Sequence, residues 1–298
     1  DLVQIYTDVD GIMTADPRIQ PDAKVLKYAE EHNCAIGSFN TPTLENIIAV
    51  ISAAEEKNVP VIIMHAQCHE EYAPIDIIGP IMILMAKQAK VDVCVHLDHC
   101  EDLEYLKRAL DLGFTSVMID ASSLPYKENV DLTKKAVGIA RSKNVSIEAE
   151  IGILGGREAG DSKPLSKEEM YTDPALAKQF VNETKIDALA CSFGTAHGIY
   201  KQKPELDFSR IEKISHLCKL PLVMHGGSGV SDVDYKKAIK LGVRKINYYS
   251  YMAREGVFAC KEICQKDITF FHEIALFAIK RMKKDVLRAM NIFYDFSD

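Results

Sequence analysis

From residue 21 onward the sequence alternates between short apolar runs and longer stretches with the apolar spacing of an amphipathic helix. A helical pattern follows each of the eight runs, which cover residues 35–40, 60–66, 92–98, 116–120, 146–152, 188–193, 221–225 and 245–250. Short buried strands that alternate with helices indicate βαβ units and hence a parallel sheet. Eight such units over about 250 residues predict a closed (β/α)8 TIM barrel, with an open, doubly wound sheet as the alternative.

Two further helical patterns lie outside the eight units. Residues 22–33 place Val25, Leu26 and Ala29 on one face ahead of the first strand, and residues 273–289 form an amphipathic pattern after the eighth unit. We expect this additional C-terminal helix to pack on the barrel or on a second subunit. Residues 21–298 are therefore predicted to form one barrel domain, whereas residues 1–20 are an N-terminal segment of unclear role.

The composition restricts the possible partners. The chain of 298 residues carries a formal charge of −7 without a basic cluster, which argues against a nucleic-acid-binding surface. We find no apolar stretch long enough to span a membrane. The eight cysteines include no CxxC pair and lie mostly inside apolar runs, which favours reduced thiols and a cytoplasmic location.

Polar residues gather where the predicted strands end. Asp98 and His99 end the third strand, His197 follows the sixth and His225 follows the seventh. In a (β/α)8 barrel these ends face a single site. Three imidazoles with an open fourth position form a common catalytic zinc site, and a nearby carboxylate can exchange a proton with a bound substrate. Each histidine alone is more often structural, but three at equivalent positions predict a metal site.

A glycine-rich stretch, Gly226 to Gly229, leads from the seventh strand into a helix, and Asn247 to Ser250 end the eighth strand. The loops after these two strands are a frequent phosphate site in such barrels, because free backbone N–H groups and hydroxyls converge there. Alone, the glycine-rich stretch is equally an ordinary turn. Together with the histidines, it predicts a small phosphorylated ligand.

Four segments in combination resemble the class II, metal-dependent ketose-bisphosphate aldolases, nearest to the fructose- and tagatose-bisphosphate members. The resemblance runs from about Ala35 to Cys264 and rests on Asp98-His99, Glu148 to Gly152, Gly194 to Lys201 and His225 to Gly229. It implies a lyase that reversibly cleaves a ketose 1,6-bisphosphate to dihydroxyacetone phosphate and an aldehyde through a zinc-stabilised enediolate. It also implies a homodimer or homotetramer.

The resemblance further implies residue roles. Zn²⁺ would be bound by His99, His197 and His225. Asp98 would exchange a proton with the C4 hydroxyl, and Glu158, in the long loop 153–171, would act as a mobile acid or base. A second metal would lie near Asp120 and Glu150, although a strand-five carboxylate equally suits a pair with a lysine. A monovalent cation (Na⁺ or K⁺) would accompany the phosphate, and the substrate would contact Asn40, Gly198, Lys201, Gly226, Gly227, Ser228, Asn247 and Ser250.

Three positions leave the identity of the substrate undecided. Tyr249 departs from the small or acidic residue that this family has beside the sugar, so an aldolase for a different phosphorylated ketose is an alternative. His65 and His69 follow or end the second strand and are either substrate contacts or, as we prefer, histidines of a supporting layer. A metal-dependent hydrolase and a non-catalytic sugar-phosphate-binding protein remain alternatives on the same barrel.

Overall fold

The computed structural model describes residues 22–152, 171–200 and 203–295. Eight parallel strands form a closed barrel in which each strand pairs with the next along the chain and the eighth pairs with the first. Closure confirms the (β/α)8 prediction, because an open sheet would leave two edge strands unpaired. The strands are β1 Ile36–Asn40, β2 Val61–Ala66, β3 Val93–Cys100, β4 Ser116–Ile119, β5 Ser146–Ile151, β6 Ala188–Cys191, β7 Leu222–Met224 and β8 Val243–Tyr248.

Ten α-helices lie in the described ranges, and side-chain caps set many of their starts. Thr43 accepts a hydrogen bond from the N–H of Asn46 at the start of α2, and Asp102 caps α4 in the same way. Such capping residues are readable in the sequence, so it indicates where these helices start. The helices are α1 Asp22–Glu31, α2 Leu44–Lys57, α3 Ile75–Gln88, α4 Leu103–Leu112, α5 Tyr126–Ser142, α6 Pro174–Thr184, α7 Phe208–Cys218, α8 Asp232–Lys240, α9 Ser250–Ile263 and α10 Phe271–Phe293.

The strand boundaries differ from the prediction by at most two residues, and the differences in β3 and β8 lie next to site residues. β3 continues to Cys100 instead of ending at residue 98, and β8 covers residues 243–248 instead of 245–250. The second difference arises because α9 already begins at Ser250. Residues 1–20, Glu158 and Lys201 lie outside the described residues, so the predicted division at residue 20 stays a prediction.

The additional C-terminal helix packs on its own barrel. α10 contacts α2 and α9, and it buries Val286, Ala289 and Phe293 against them and against the first strand. Gly256 of α9 permits a close approach, since a side chain there would lie 3.1 Å from the sulfur of Met282. The helix therefore covers part of the barrel wall and contributes to the core.

The barrel interior is polar at alternating strand positions, which decides where chemistry is possible. In the parallel register His96 pairs with Ser116, and Ser38 pairs with Asn247. Paired residues point to the same face of a parallel sheet, and residues two apart on a strand share that face. The interior thus holds a lower layer with His96, Ser116, Glu148 and Lys245 and an upper layer with Asp98, Glu150 and Asn247.

No helix in the described ranges is both long and apolar enough to cross a membrane. All eight cysteines lie in those ranges, and no disulfide links them.

Candidate metal and active site

The three predicted histidines converge above the polar layers. Nε2 of His99 lies 2.7 Å from Nδ1 of His225. His197 completes the group, because each of the three rings offers a nitrogen within 4.8 Å of the others. Three residues that span 126 positions of the sequence therefore present imidazole nitrogens to one small volume at the carboxyl ends of the strands.

A local irregularity in β3 turns His99 toward this volume. Adjacent residues on a regular strand face opposite sides, so Asp98 and His99 should point apart. His99 instead has a φ of 45°, and the register of β3 against β4 shifts between Leu97 and Cys100. The strand continues beyond its predicted end at residue 98, and a bulge within it turns both side chains inward.

Hydrogen bonds fix which ring nitrogens are available. His99 Nδ1 lies 2.8 Å from a carboxylate oxygen of Asp120, and His225 Nε2 lies 2.7 Å from one of Glu148. Carboxylates only accept, so both rings carry their hydrogen on these outer nitrogens. His99 Nε2 and His225 Nδ1 then face each other, and either a proton shared in a hydrogen bond or a metal ion can occupy the position between them. This donor set fits a divalent cation, and imidazoles backed by carboxylates are a usual zinc environment.

The electrostatics of the described residues agree with this fit. Burial opposes the imidazolium form of His99, but the carboxylates of Asp98 and Asp120 outweigh burial and raise the pKa of His99 to about 10. Burial and the charge of His99 lower the pKa of His197 to about 3 and also lower the pKa of His225. The carboxylates thus favour positive charge at the centre of the group, where a metal ion would bring it.

Asp98 is held rigidly beside the histidines. It is 1% exposed, and its two oxygens accept hydrogen bonds from the side-chain amides of Asn40 (3.2 Å) and Asn247 (3.1 Å). Burial raises the pKa of Asp98, but nearby His99, His225 and Lys245 bring it down to about 2, so the group is a carboxylate at neutral pH. The amide oxygens of Asn40 and Asn247 are buried and have no hydrogen-bond partner among the described residues. Two hydrogen-bond acceptors, the amide oxygens of Asn40 and Asn247, therefore lie beside the carboxylate of Asp98.

Asp120 and Glu150 also lie together. Their carboxylates and His99 form a second group within 4.8 Å that could hold a metal ion. Asp120 already orients His99 and accepts two hydrogen bonds from Ser122. Because the two groups share one imidazole ring, they form one continuous site rather than two separate ones.

The loops predicted to bind phosphate interlock at the same rim. Gly226 has a φ of 61°, and a side chain on it would collide with the carbonyl of Ala196. A side chain on Gly227 would lie 2.7 Å from the carbonyl oxygen of Asn247. Ser228 accepts a hydrogen bond from the N–H of Tyr249, the residue before α9, and no side chain caps that helix. The glycines are thus required by close backbone approach between the loops after β6, β7 and β8.

The structure also describes two further residues predicted to contact the substrate. Gly198, in the loop after β6, has open space where a side chain would stand, and Ser250 is the first residue of α9.

The sequence did not lead us to assign a functional role to three buried residues of the lower layer. Glu148 was noted only as part of a motif, and Lys245 and His96 received no role. Glu148 touches His225 directly, and Lys245 lies 2.6 Å from the other oxygen of Glu148. A usable signal was present, because His96/Asp98, Glu148/Glu150 and Lys245/Asn247 are polar pairs at i and i+2 within otherwise apolar strands.

His65 and His69 lie apart from the metal-binding nitrogens. His65 pairs in register with Leu97, so it faces outward, where its Nε2 lies 2.9 Å from the hydroxyl of Tyr105 on α4. His69 is buried in the loop after β2, with its ring 5.7 Å from that of Tyr249. The structure therefore places His65 in a supporting layer, whereas His69 reaches the loop that follows β8.

The chain is a (β/α)8 barrel with a histidine group that could hold a metal ion at the carboxyl ends of its strands. The model of the class-II fructose-bisphosphate aldolase family matches residues 21–296, and the chain belongs to this family of lyases. The predicted family and enzyme class are thereby confirmed.

Named relatives are similar over most of the chain. A sulfofructosephosphate aldolase of Alkalicoccus urumqiensis is 41% identical over 248 residues, which cover 83% of this chain and 86% of that protein. A fructose-bisphosphate aldolase of Staphylococcus aureus is 39% identical over 247 residues, 82% and 85% of the two chains. The crystal structure of the YdjI aldolase from Escherichia coli K12 matches with a TM-score of 0.83 and 32% identity, covering 92% of this chain and 97% of that one.

Proposed function

We propose that this chain is a Zn²⁺-dependent aldolase that reversibly cleaves a phosphorylated ketose of the fructose or tagatose 1,6-bisphosphate type to dihydroxyacetone phosphate and an aldehyde. One observation carries the proposal: Nε2 of His99 and Nδ1 of His225 face each other at 2.7 Å, and His197 and the buried carboxylate of Asp98 lie close by. This arrangement combines a cation site with a general acid or base.

His99, His197 and His225 would hold the metal. A bound divalent cation acts as a Lewis acid that withdraws electron density from the oxygens of a ketose. Asp120 and Glu148 would orient two of the three rings through the hydrogen bonds described above. The Asp120–Glu150 group would serve as an adjoining second cation position.

Asp98 would transfer the proton that carbon–carbon cleavage requires. As a carboxylate at neutral pH it accepts the proton of the C4 hydroxyl, while the electron pair of the breaking bond passes to the dihydroxyacetone phosphate half. Asn40 and Asn247 keep Asp98 in one orientation, and their free amide oxygens would accept hydrogen bonds from substrate hydroxyls. The same groups act in reverse during condensation.

Further roles rest on the family resemblance alone. Glu158 would exchange a proton with the carbon of the dihydroxyacetone phosphate half. The phosphate would be bound by the interlocked loops, with a monovalent cation beside it, through Gly198, Lys201, Gly226, Gly227, Ser228 and Ser250. We also propose a cytoplasmic homodimer or homotetramer, which the cysteine pattern and the exposed side chains of Phe270 and Phe271 support.

The identity of the ketose is the open part of the proposal. A relative at 41% identity is named a sulfofructosephosphate aldolase, which makes a sulfonated ketose phosphate the second candidate. His69 and Tyr249 pack together between the loops after β2 and β8, beside the strand that ends in Asn40. Their aromatic pair is expected to border the aldehyde half of the substrate.

A product assay after chelation tests the proposal. The protein is treated with EDTA, then supplied with Zn²⁺, and cleavage of fructose 1,6-bisphosphate, tagatose 1,6-bisphosphate and sulfofructose phosphate is measured as triose phosphate formed. Chelation should abolish cleavage and zinc should restore it, whereas borohydride with substrate should leave activity intact. Full activity without bound metal would refute the proposal, release of inorganic phosphate would favour a hydrolase, and binding without turnover would favour a non-catalytic protein.

A further inference from the structure

We propose that Lys245 is a positioning residue of the metal site, which acts through Glu148 to fix the tautomer and orientation of His225. The inference rests on the proposed metal site but concerns residues that neither the metal nor a substrate would touch. Lys245 lies one layer below the histidines, and its side chain is completely buried.

A continuous chain of hydrogen bonds links Lys245 to His225. The ammonium of Lys245 donates to Oε2 of Glu148 over 2.6 Å, and Oε1 of the same carboxylate lies 2.7 Å from Nε2 of His225. On its other side, Lys245 lies 3.2 Å from Nε2 of His96, whose Nδ1 lies 2.7 Å from the hydroxyl of Ser116. These five side chains come from five different strands and are all fully buried, so the chain crosses the barrel interior away from solvent.

The direction of this chain follows from one residue. An ammonium group only donates hydrogen bonds, so Nε2 of His96 must accept and the hydrogen of His96 must lie on Nδ1, toward Ser116. The same ammonium donates to Oε2 of Glu148, and the carboxylate presents its other oxygen, Oε1, to His225 as an acceptor. His225 must then carry its hydrogen on Nε2, and the lone pair on Nδ1 points at His99.

Without Lys245 this direction is lost. A carboxylate that has lost the hydrogen bond from Lys245 can turn Oε1 away from Nε2 of His225, and the ring is then free to hold its hydrogen on Nδ1, where the metal should bind. Lys245 also occupies one carboxylate oxygen, so that Glu148 presents the other to His225 in a single rotamer. The ammonium thus sets both the donor pattern and the geometry behind one metal ligand.

Stability alone does not account for these residues. A buried ion pair contributes little net stability compared with an apolar pair of similar volume. A carboxylate behind a metal-binding imidazole, by contrast, orients the ring and strengthens metal binding. The position of Glu148 directly behind His225 therefore favours a role in metal binding, and Lys245 extends that support by one further residue.

A cycle of variants tests the inference by metal affinity. Zn²⁺ binding to metal-free protein is measured by chelator competition at one pH for the parent, Lys245→Met, Glu148→Leu and the double variant, and nitrogen-15 NMR reports the tautomer of His225. We expect Lys245→Met to weaken Zn²⁺ binding about 10- to 100-fold and to shift the tautomer toward hydrogen on Nδ1. If Lys245 acts through Glu148, the double variant should bind no more weakly than Glu148→Leu. Arg141→Met is the matched control: it breaks the ion pair of Arg141 with Asp187, at the opposite ends of the strands, and should leave Zn²⁺ affinity unchanged.

The double variant also covers the case in which Lys245→Met fails to fold, because it replaces both charges with apolar side chains. A folded double variant that binds Zn²⁺ within about threefold of the parent, with the His225 tautomer unchanged, would overturn the inference and leave a purely structural ion pair. Failure of the proposed metal site gives a different result, since the parent itself would then bind no Zn²⁺ or His225→Ala would bind it equally well.

Discussion

Two histidines on neighbouring strands, the buried His65 and the half-buried His99, have opposite surroundings. His65 faces outward from β2, where Tyr105 lies 2.9 Å away and itself donates to Glu70 over 2.6 Å. Arg108 lies 3.2 Å from Glu70, so this outer chain ends in a neutralised pair. His99, on the inner side of β3, contacts the carboxylate of Asp120 through Nδ1 and the imidazole of His225 through Nε2. The comparison teaches that the face of the strand, more than burial, decides whether a histidine is available to a metal.

The two environments also shift the pKa values in opposite directions. Burial and the neighbouring His69 lower the pKa of His65 to about 4, so this ring stays neutral. The carboxylates of Asp98 and Asp120 overcome burial at His99 and raise its pKa to about 10. The inner position attracts positive charge and the outer position excludes it.

The largest expected effect separates the two histidine positions directly. His225→Ala should lose the bound metal and with it metal-dependent cleavage, because a three-histidine site loses one of its ligands. His65→Ala should retain stoichiometric metal. Metal analysis of the two purified variants makes the comparison, and equal metal content in both would show that the inner group is not the metal site.

Within the inner region, Asp98→Ala should keep the metal and lose the chemistry. We expect a fall in kcat of roughly 10²- to 10⁴-fold, the range for removal of a general acid or base. Metal content and the dissociation constant for Zn²⁺ serve as controls. A variant that turns over like the parent would remove Asp98 from the mechanism.

His65, in the outer region, should affect the free energy of unfolding at acidic pH. The pKa of His65 is about 4 in the folded protein against about 6.5 in an unfolded chain, so below pH 6.5 the unfolded state takes up a proton that the folded state does not. The stability from neutral His65 is therefore complete above pH 6.5 and is lost as the pH falls toward 4, by about 3 kcal/mol. Denaturant unfolding of the parent and of His65→Gln across pH 4–7 measures this, and parallel curves would contradict it.

Tyr105→Phe should have a smaller effect, again on the outer side alone. It removes the hydroxyl between His65 and Glu70 and leaves both without this partner, which typically costs about 1–3 kcal/mol of unfolding free energy. Cleavage rate and metal content should not change. A loss of Zn²⁺ affinity in this variant would show that the outer chain supports the inner site after all.

The smallest effect is expected on the surface. Arg141 and Asp187 pair at 2.6 Å, but Arg141 is 48% exposed. Since solvent screens such pairs, Arg141→Ala should lower the free energy of unfolding by only about 0.2–1 kcal/mol. If the thermal unfolding curve of Arg141→Ala instead overlaid that of His65→Ala, the expected difference between buried and surface polar groups would be refuted.

Local patterns in the sequence were sufficient for most of the fold. Strand and helix order follows from apolar periodicity, and helix starts follow from capping side chains such as Thr43 and Asp102. Because the carboxyl ends of the strands in a barrel face one site, the sequence also predicted that His99, His197 and His225 lie together. These features depend on neighbouring residues or on the repeat itself, which a sequence displays directly.

The sequence by itself thus determined the barrel, the family and the residues of the upper rim. Only the tertiary structure decided how His99 turns inward, because its positive φ and the shifted register arise from pairing with β4. Contacts across the barrel, such as Lys245 with Glu148, likewise join residues 97 positions apart. Hydrogen-bond direction depends on which groups are in contact in the folded protein, and the spacing of residues along a chain does not specify those contacts.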